Sequence, residues 1–360
     1  MYNLEVPLNN VSFGQTSISI IRELFDRLED FSVTPISKDR NIDISAQPQD
    51  ELFNTNLDSA LKKQNSYTDK CFKLWHINGS INQFGRKQVL LTFHETDELT
   101  QTEIDILGRT EHILVTSKNT EKLMLEAGLN VSFVNLGFDS VNFYPTNKKY
   151  YDDDRIVFMI VGKFEHRKRT AKTIQAWLQK FGNNRKYFLH VAAHNPFLTP
   201  EQMKSEYQAA IGNKVYWNIQ FFDWMQTNAA FNDFLNAGHI MLGMSGSEAF
   251  GLPEFHGVAL GKHSVIHNVN GYQSWATSEN SVLVNPNNKI PAYDGKFFGK
   301  GQQFNQGNFY DWGVDMFIAG CEEAIRRYEK NTVNENGLQL QKTHTTGNLV
   351  SHIIDSINCL

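Results

Sequence analysis

The chain has 360 residues, a formal net charge of −5 and 41% apolar residues. That length exceeds what one hydrophobic core usually supports, so we expect two domains. No run of about 20 apolar residues occurs, and no basic stretch precedes an apolar one at the start, so the sequence predicts neither a transmembrane segment nor a signal peptide. Three widely spaced cysteines and the acidic balance favour a cytoplasmic protein and argue against a disulfide scaffold or a polyanionic partner.

Apolar runs alternate with amphipathic stretches along the chain, a pattern typical of a parallel sheet with helices on both faces. A polar segment, 142–155, interrupts the alternation and is predicted to link two domains. The predicted strands lie at 73–80, 88–95, 112–117, 131–137, 155–164, 186–194, 240–245 and 263–268, and the predicted helices at 119–128, 169–181, 315–330 and 346–360. We therefore expect two doubly wound α/β domains in series, with a ligand cleft at the carboxyl ends of their strands.

The stretch 286–313 is rich in Gly, Asn, Gln and aromatic residues and has no clear periodicity. A loop of this length in a compact enzyme is typical of either a lid or a disordered segment. The sequence leaves both interpretations open.

Basic residues crowd the turn that follows the predicted strand 155–164, where Lys163, Arg167 and Lys168 come after Gly162. Cations are unfavourable at a helix N-terminus, because the helix dipole is already positive there. A bound anion such as a diphosphate, held by side chains and backbone amides together, would explain them. The alternative to an anion site is an ordinary basic turn whose charges are exposed to solvent.

Residues 245–261, SGSEAFGLPEFHGVALG, are in part a well-formed helix start, with a serine cap, a proline in the first turn and a carboxylate beside the helix dipole. That interpretation leaves Glu248 unexplained. Gly251 permits close backbone approach, so the amides of Phe250, Gly251 and Leu252 can face a ligand. A carboxylate beside them suits sugar hydroxyls, because its two oxygens accept from neighbouring donors. The motif therefore also predicts a ligand site.

Taken in order, these segments resemble the retaining glycosyltransferases of family four. Residues 245–261 are similar to that family's pair of glutamates around Gly-Leu-Pro. VGKFEHRKRTAKTI (161–174) looks like its basic turn, with Lys163 and Lys168 at the usual arginine and lysine positions. LLTFHETDE resembles its strand end with a histidine, here His94. The ordered matches span roughly residues 88–285.

The resemblance implies the α/β GT-B fold, in which two Rossmann-like, doubly wound domains face each other across a cleft. It implies an N-terminal acceptor domain at 1–145, on which the C-terminal helix 346–360 packs back, and a nucleotide-sugar donor domain at 150–345. The implied reaction moves a hexose from a nucleoside-diphosphate sugar, with UDP-sugar favoured, to a hydroxyl acceptor. The anomeric configuration is kept, and no metal or other cofactor is required.

The resemblance also implies roles for individual residues. Glu248 would hold the donor sugar's hydroxyls, Lys168 would neutralise the diphosphate, and His94 would face the reacting centre from the acceptor side. His256 stands where the family has its second glutamate, which holds the nucleotide ribose. The implied donor-binding residues are Gly14, Gly162, Lys163, Arg167, Phe250, Gly251, Leu252, Glu254 and His256.

The acceptor is open at this point: a glycan, a lipid-linked sugar and a metabolite all have precedents in the family. TFHETDELTQTEIDIL (92–107) also resembles glycosyltransferases of tailed phages, for which a hydroxymethylpyrimidine base in DNA is one acceptor. If DNA is the partner, its binding should weaken steeply as the salt concentration rises. The competing class is a non-catalytic nucleotide-sugar binding protein, suggested by His256 in place of the second glutamate.

Overall fold

A computed structural model describes residues 2–36, 42–64, 70–82 and 87–360. Within these ranges the chain forms two parallel six-stranded sheets and one small antiparallel ribbon. Buried apolar side chains from alternate positions of the strands pack against helices on both faces of each sheet. The predicted α/β class with two doubly wound domains is confirmed.

The first sheet is formed by residues 2–133. Its elements are β1 (Tyr2–Val6), α1 (Ser12–Asp26), β2 (Phe31–Pro35), α2 (Glu51–Lys62), β3 (Lys70–Leu74), β4 (Lys87–Thr92), α3 (Gln101–Leu107), β5 (His112–Val115), α4 (Lys118–Glu126) and β6 (Val131–Phe133). The strand order is β2-β1-β3-β4-β5-β6. The direction of winding therefore reverses between β1 and β3, which is the topological switch point of this sheet.

The predicted strand at 73–80 is wrong over most of its length. The strand begins at Lys70 and pairs with β4 only as far as Leu74, and a single 3₁₀ turn, Ile77–Gly79, follows. The Asn-Gly pair inside that turn favours tight backbone conformations over a strand. Trp75 and His76 therefore lie just beyond the carboxyl end of β3 and are not part of the sheet.

The second sheet is formed by residues 156–284 and is covered in part by a later helix. The elements are β7 (Ile156–Gly162), α5 (Thr170–Phe181), β8 (Tyr187–Ala193), α6 (Pro200–Ile211), β9 (Ile219–Phe221), α7 (Asn228–Ala237), β10 (Ile240–Gly243), α8 (Leu252–Ala259), β11 (His263–His267), β12 (Val282–Val284) and, after the ribbon, α9 (Val314–Lys330). The strand order is β12-β11-β10-β7-β8-β9, so the switch point lies between β7 and β10.

The chain crosses between the two sheets twice. The first crossing follows β6, and the second runs through α10 (Glu335–Leu338) and α11 (Leu340–Thr343) into α12 (Thr346–Asn358). The crossings touch where the Phe138 amide donates to the His344 carbonyl at 2.8 Å. Helix α12 then packs on α1, β3 and β4, so the end of the chain covers the first sheet.

The ribbon consists of β13 (Asn288–Pro291) and β14 (Asn308–Asp311), within the stretch whose structure the sequence left open. It reaches the loop after β4 in the first half of the chain. The Asp97 carboxylate accepts from the Asn308 amide at 2.7 Å and pairs with Lys289 at 2.7 Å. The Thr100 hydroxyl donates to the Gln303 carbonyl at 2.6 Å. The ribbon therefore spans the cleft.

No helix in the described part of the chain is both long enough and apolar enough to cross a bilayer.

Candidate active site at the cleft

The turn after β7 is shaped for an anion. Gly162 ends the strand with φ +110°, a conformation that residues with a side chain rarely adopt. Arg169, in the left-handed region with φ 55°, then leads into α5, whose first turn contains no acidic residue. The positive end of the helix dipole is thus left uncompensated by α5 itself.

Two cations from this turn meet a carboxylate from the loop after β10. The Lys168 Nζ lies 2.5 Å from the Glu248 Oε1, and the Arg167 Nη1 lies 3.2 Å from the same oxygen. Arg167 also donates to the Ser247 carbonyl at 2.5 Å. All three charged side chains are nearly buried, with 6–11% of each exposed. We call Arg167, Lys168 and Glu248 the charge cluster.

Burial and ion pairing oppose each other in the charge cluster. Burial alone would lower the pKa of Lys168, but the carboxylates of Glu248 and Glu254 outweigh it and the pKa is raised. Burial would also lower the pKa of Arg167, which Glu95 and Glu248 raise instead. For Glu248 the effect of burial is overcome by Lys168 and Arg167, so its pKa falls. All three groups are therefore charged at neutral pH.

Lys163 lies at the outer edge of this site. Its side chain is 41% exposed, and its Nζ is 3.7 Å from Glu165. Lys163 is thus less constrained than the two buried cations and is accessible from the cleft.

The Gly-Leu-Pro turn packs against Tyr272. Gly251 has φ +83°, and a Cβ there would stand 2.3 Å from Cε1 of Tyr272. Phe250 is buried, and its carbonyl accepts from the Trp275 indole at 2.8 Å. Leu252 begins α8. The glycine is therefore required both by its backbone conformation and by the close approach of an aromatic ring.

Glu254 lies beside the charge cluster rather than in solvent. It is 2% exposed, and burial raises its pKa while the charge of Lys168 opposes the rise. The Tyr272 hydroxyl interacts with the Glu254 carboxylate, and this interaction also opposes the rise in the pKa of the carboxyl group. Buried polar atoms are almost always paired, and here the two groups pair with each other beside the charge cluster.

The first half of the chain contributes the loop after β4. His94 is 4% exposed, its Nε2 lies 3.1 Å from the Glu98 carbonyl, and burial lowers its pKa. The next residue, Glu95, reaches across the cleft and pairs with Arg167 at 3.1 Å. Ser247 donates to the Glu95 carbonyl. The loop that carries His94 is thus attached directly to the charge cluster.

His256 is packed away from the charge cluster. Its imidazole stacks on Phe143 with ring centroids 4.1 Å apart, and burial lowers its pKa to about 3. Together with Leu252 and Gln15 it lines a cavity of about 30 Å³. That volume is enough for one water molecule.

Gly14 lies in the first turn of α1, also apart from the charge cluster. A Cβ at this position would stand 2.0 Å from the Asn9 carbonyl oxygen, so the glycine lets the loop after β1 fold over the start of the helix. The structure therefore brings together Glu248, Lys168, Arg167 and Glu254, with Lys163 and His94 at their edges.

Sequence reasoning missed Glu95 and Tyr272. Glu95 follows His94 directly, but only the spatial approach of the two halves of the chain shows that it meets Arg167. Tyr272 comes 24 residues after Glu248 in the sequence and carries no motif of its own. In the described part of the chain, no three His, Cys, Asp or Glu side chains are grouped so as to hold a metal ion.

The fold is shared with solved glycosyltransferase structures. A glycosyltransferase from Rickettsia africae matches with a TM-score of 0.68 at 13% identity, over 99% of this chain and 97% of that one. Anabaena HepE in complex with UDP and glucose matches with a TM-score of 0.66 at 12% identity, over the whole of both chains. Sucrose-phosphate synthase from Thermosynechococcus elongatus matches with a TM-score of 0.64 at 14% identity, over 99% and 98%.

These matches establish that the two Rossmann-like domains have the GT-B arrangement. No family model and no curated protein matches the sequence.

Proposed function

We propose that the protein is a retaining, metal-independent glycosyltransferase that transfers a hexose from a UDP-sugar to a hydroxyl acceptor. The charge cluster carries this proposal: two buried cations and a carboxylate stand at the switch point of the second sheet. The GT-B fold supports it, and HepE, which shares the fold, binds UDP and glucose. The first half of the chain, residues 1–145, acts as the acceptor domain and residues 150–345 as the donor domain.

The reaction breaks the bond between the sugar's anomeric carbon and the diphosphate. Lys168 and Arg167 stabilise the negative charge that develops on the departing diphosphate, and Lys163 contributes from the edge of the site. Fixed charges in a buried site are effective here because they do not have to reorganise during the reaction. Backbone amides at the start of α5 add to the same effect.

Glu248 orients the donor sugar by accepting from its hydroxyls. Both of its ion pairs use Oε1, and the Ser245 hydroxyl also interacts with the carboxylate. Glu254 and the Tyr272 hydroxyl, both buried beside the charge cluster, supply further polar contacts to the sugar. His94 faces the reacting centre from the acceptor side. The acceptor oxygen bonds to the anomeric carbon on the face from which the diphosphate leaves, so the configuration is kept, and the proton of the acceptor hydroxyl passes to the departing diphosphate.

Thermal unfolding in the presence of UDP, GDP, ADP and their common sugars tests the proposal. A ligand at about 100 times its dissociation constant adds about 2.7 kcal/mol of stability. We expect UDP and UDP-glucose to raise the melting temperature, and UDP release with NMR of the product to report transfer and anomeric configuration. Binding without any release of UDP would identify a non-catalytic binder. Folded protein that responds to no nucleotide would contradict the proposal.

A further inference from the structure

Four ring-bearing side chains meet at the switch point of the first sheet, and the proposed function uses none of them. Phe13 lies in the first turn of α1, Trp75 and His76 follow β3, and Phe93 follows β4. The centroid of the Phe13 ring is 4.4 Å from His76, 4.5 Å from Phe93 and 5.9 Å from Trp75. These distances are typical of packed aromatic pairs. We call the four side chains the aromatic cluster.

The aromatic cluster has a buried base and an accessible surface. Phe13 is 9% exposed, whereas Trp75 and Phe93 are half-buried and the His76 residue as a whole is exposed. The Cδ1–Nε1 edge of the Trp75 ring meets the backbone at Gly79, where a Cβ would stand 2.5 Å from the indole Nε1. The cluster is therefore held in place by packing while part of its ring surface is exposed.

The aromatic cluster adjoins the proposed reacting centre. Phe93 directly precedes His94 and Glu95, and Glu95 pairs with Arg167 at 3.1 Å. Ligands of doubly wound sheets bind at switch points. The switch point of the first sheet, which holds the aromatic cluster, faces the switch point of the second sheet, which holds the charge cluster.

The surroundings of the rings favour a neutral ligand with a flat apolar face. Polar amides border the cluster: Asn78 is exposed, and Asn9 is half-buried. Carboxylates follow Phe93 on its own loop, with Glu95 inside the cleft and Glu98 exposed. A phosphate backbone requires cations along its path, which this loop does not supply. A pyranose ring, in contrast, has an apolar C–H face with hydroxyls at its edge.

We propose that the aromatic cluster binds the acceptor, and that the acceptor is a neutral glycan whose pyranose ring stacks on Trp75 and Phe93. The proposal rests on the transferase function above and adds its acceptor class. His76 and the neighbouring asparagines are positioned to hydrogen-bond the ring hydroxyls, and the acceptor hydroxyl then points toward His94.

Saturation-transfer-difference NMR with four probes, namely maltotriose, cellotriose, chitotriose and mannotriose, tests the acceptor class on the full chain in the presence of UDP. We expect at least one trisaccharide to bind, with the strongest transfer to its ring C–H protons. Trp75→Ala should weaken that binding about tenfold, equivalent to about 1.4 kcal/mol. Trp75→Phe should restore most of it, because a flat ring is kept.

The matched control is Trp217→Ala, which removes an exposed tryptophan from the second half of the chain and should leave trisaccharide binding unchanged. UDP-induced thermal stabilisation should be the same in all three variants, which also shows that they fold. Binding of no trisaccharide, or binding that Trp75→Ala leaves intact, would overturn the proposal. Binding of single-stranded dT12 that is lost in Trp75→Ala would replace the glycan with a nucleic acid.

A failure of UDP-glucose to bind the wild-type protein would instead reject the transferase function. The trisaccharide experiment distinguishes the two failures, because it is repeated without UDP and then reports on the aromatic cluster alone.

Discussion

The two switch points of the molecule face each other across one cleft, yet they are chemically opposite. The second sheet presents buried charges, with Lys168 and Arg167 on Glu248. The first sheet presents rings, with Trp75 and Phe93 packed on Phe13. The same backbone topology therefore presents charged side chains at one switch point and aromatic rings at the other, which we propose bind an anion and a flat, uncharged ligand respectively. The difference indicates that topology fixes where ligands bind, and the side chains after each strand decide which ligands bind there.

Removing the charge of Glu248, on the charged side of the cleft, should have the largest effect on turnover. Glu248→Gln should reduce turnover of UDP-glucose by about 10²–10³-fold, as expected when one preorganised charge is lost from an active site. The release of UDP measures the effect. Glu165→Gln is the matched control, because Glu165 also approaches Arg167, at 3.7 Å, and is not assigned a role in the reaction. Equal loss in both variants would refute a special role for Glu248.

Removing one buried cation should weaken donor binding and leave the aromatic cluster unchanged. For Lys168→Ala we expect the Kd of UDP-glucose to rise roughly 30-fold, about 2 kcal/mol, because a charge-assisted contact to the diphosphate is lost. Lys163→Ala should cost only a few-fold, since that side chain is 41% exposed and its charge is screened. Calorimetric titration measures both. An unchanged Kd in Lys168→Ala would place the diphosphate elsewhere.

The position of His256 can be tested through pH. Its pKa is lowered to about 3 by burial, below the ordinary value of 6.5, so the folded state keeps it neutral. In the unfolded state the His256 imidazole takes up a proton below pH 6.5. Its contribution to the free energy of unfolding is therefore complete above pH 6.5 and is lost as the pH falls toward 3. At pH 5 this loss is about 2 kcal/mol.

His256→Phe should remove that loss, because a phenyl ring stacks on Phe143 and does not titrate. We expect the difference in unfolding free energy between pH 7 and pH 5 to shrink by about 2 kcal/mol in chemical denaturation. A wild-type imidazole that titrates near 6.5 by NMR would show that His256 faces solvent or a ligand.

The smallest expected effect concerns the contact that joins the two switch points. Glu95 is ion-paired with Arg167, which we propose also binds the donor's diphosphate. Glu95→Gln should therefore tighten UDP-glucose binding about fivefold, equivalent to about 1 kcal/mol. Glu98→Gln, on the same loop but exposed, should leave the Kd unchanged. Weaker binding in Glu95→Gln would mean that the carboxylate supports the donor.

The sequence predicted the second sheet better than the first, for a physical reason. Strand β7, Ile156–Gly162, is apolar on both faces and is therefore easily recognised. Strand β1 alternates apolar residues with Asn3 and Glu5, and Glu5 is paired with the fully buried Lys73 at 2.9 Å. A buried ion pair across neighbouring strands looks like two exposed positions in the sequence, so no strand before residue 73 was predicted.

The candidate site was predictable where its residues are close in sequence. The charge cluster combines two local motifs, and both were recognised from residue types and spacing. The approach of Glu95 to Arg167 and the stacking of His256 on Phe143 were not predictable, because each depends on how two distant segments pack. Helical spacing places His256 on α8 but does not say which ring meets it.

The double crossing of the chain has a mechanical consequence. The two connections are fastened to each other where Phe138 bonds to His344, and Gly137 leaves no room there for a side chain, since a Cβ would stand 2.2 Å from the Thr346 amide. Across the cleft the two halves are also joined by polar contacts, among them those of the ribbon with Asp97 and Thr100 and the ion pair of Glu95 with Arg167. The double crossing therefore joins the two domains covalently and by a hydrogen bond at one place, and any widening of the cleft elsewhere requires the polar contacts across it to break.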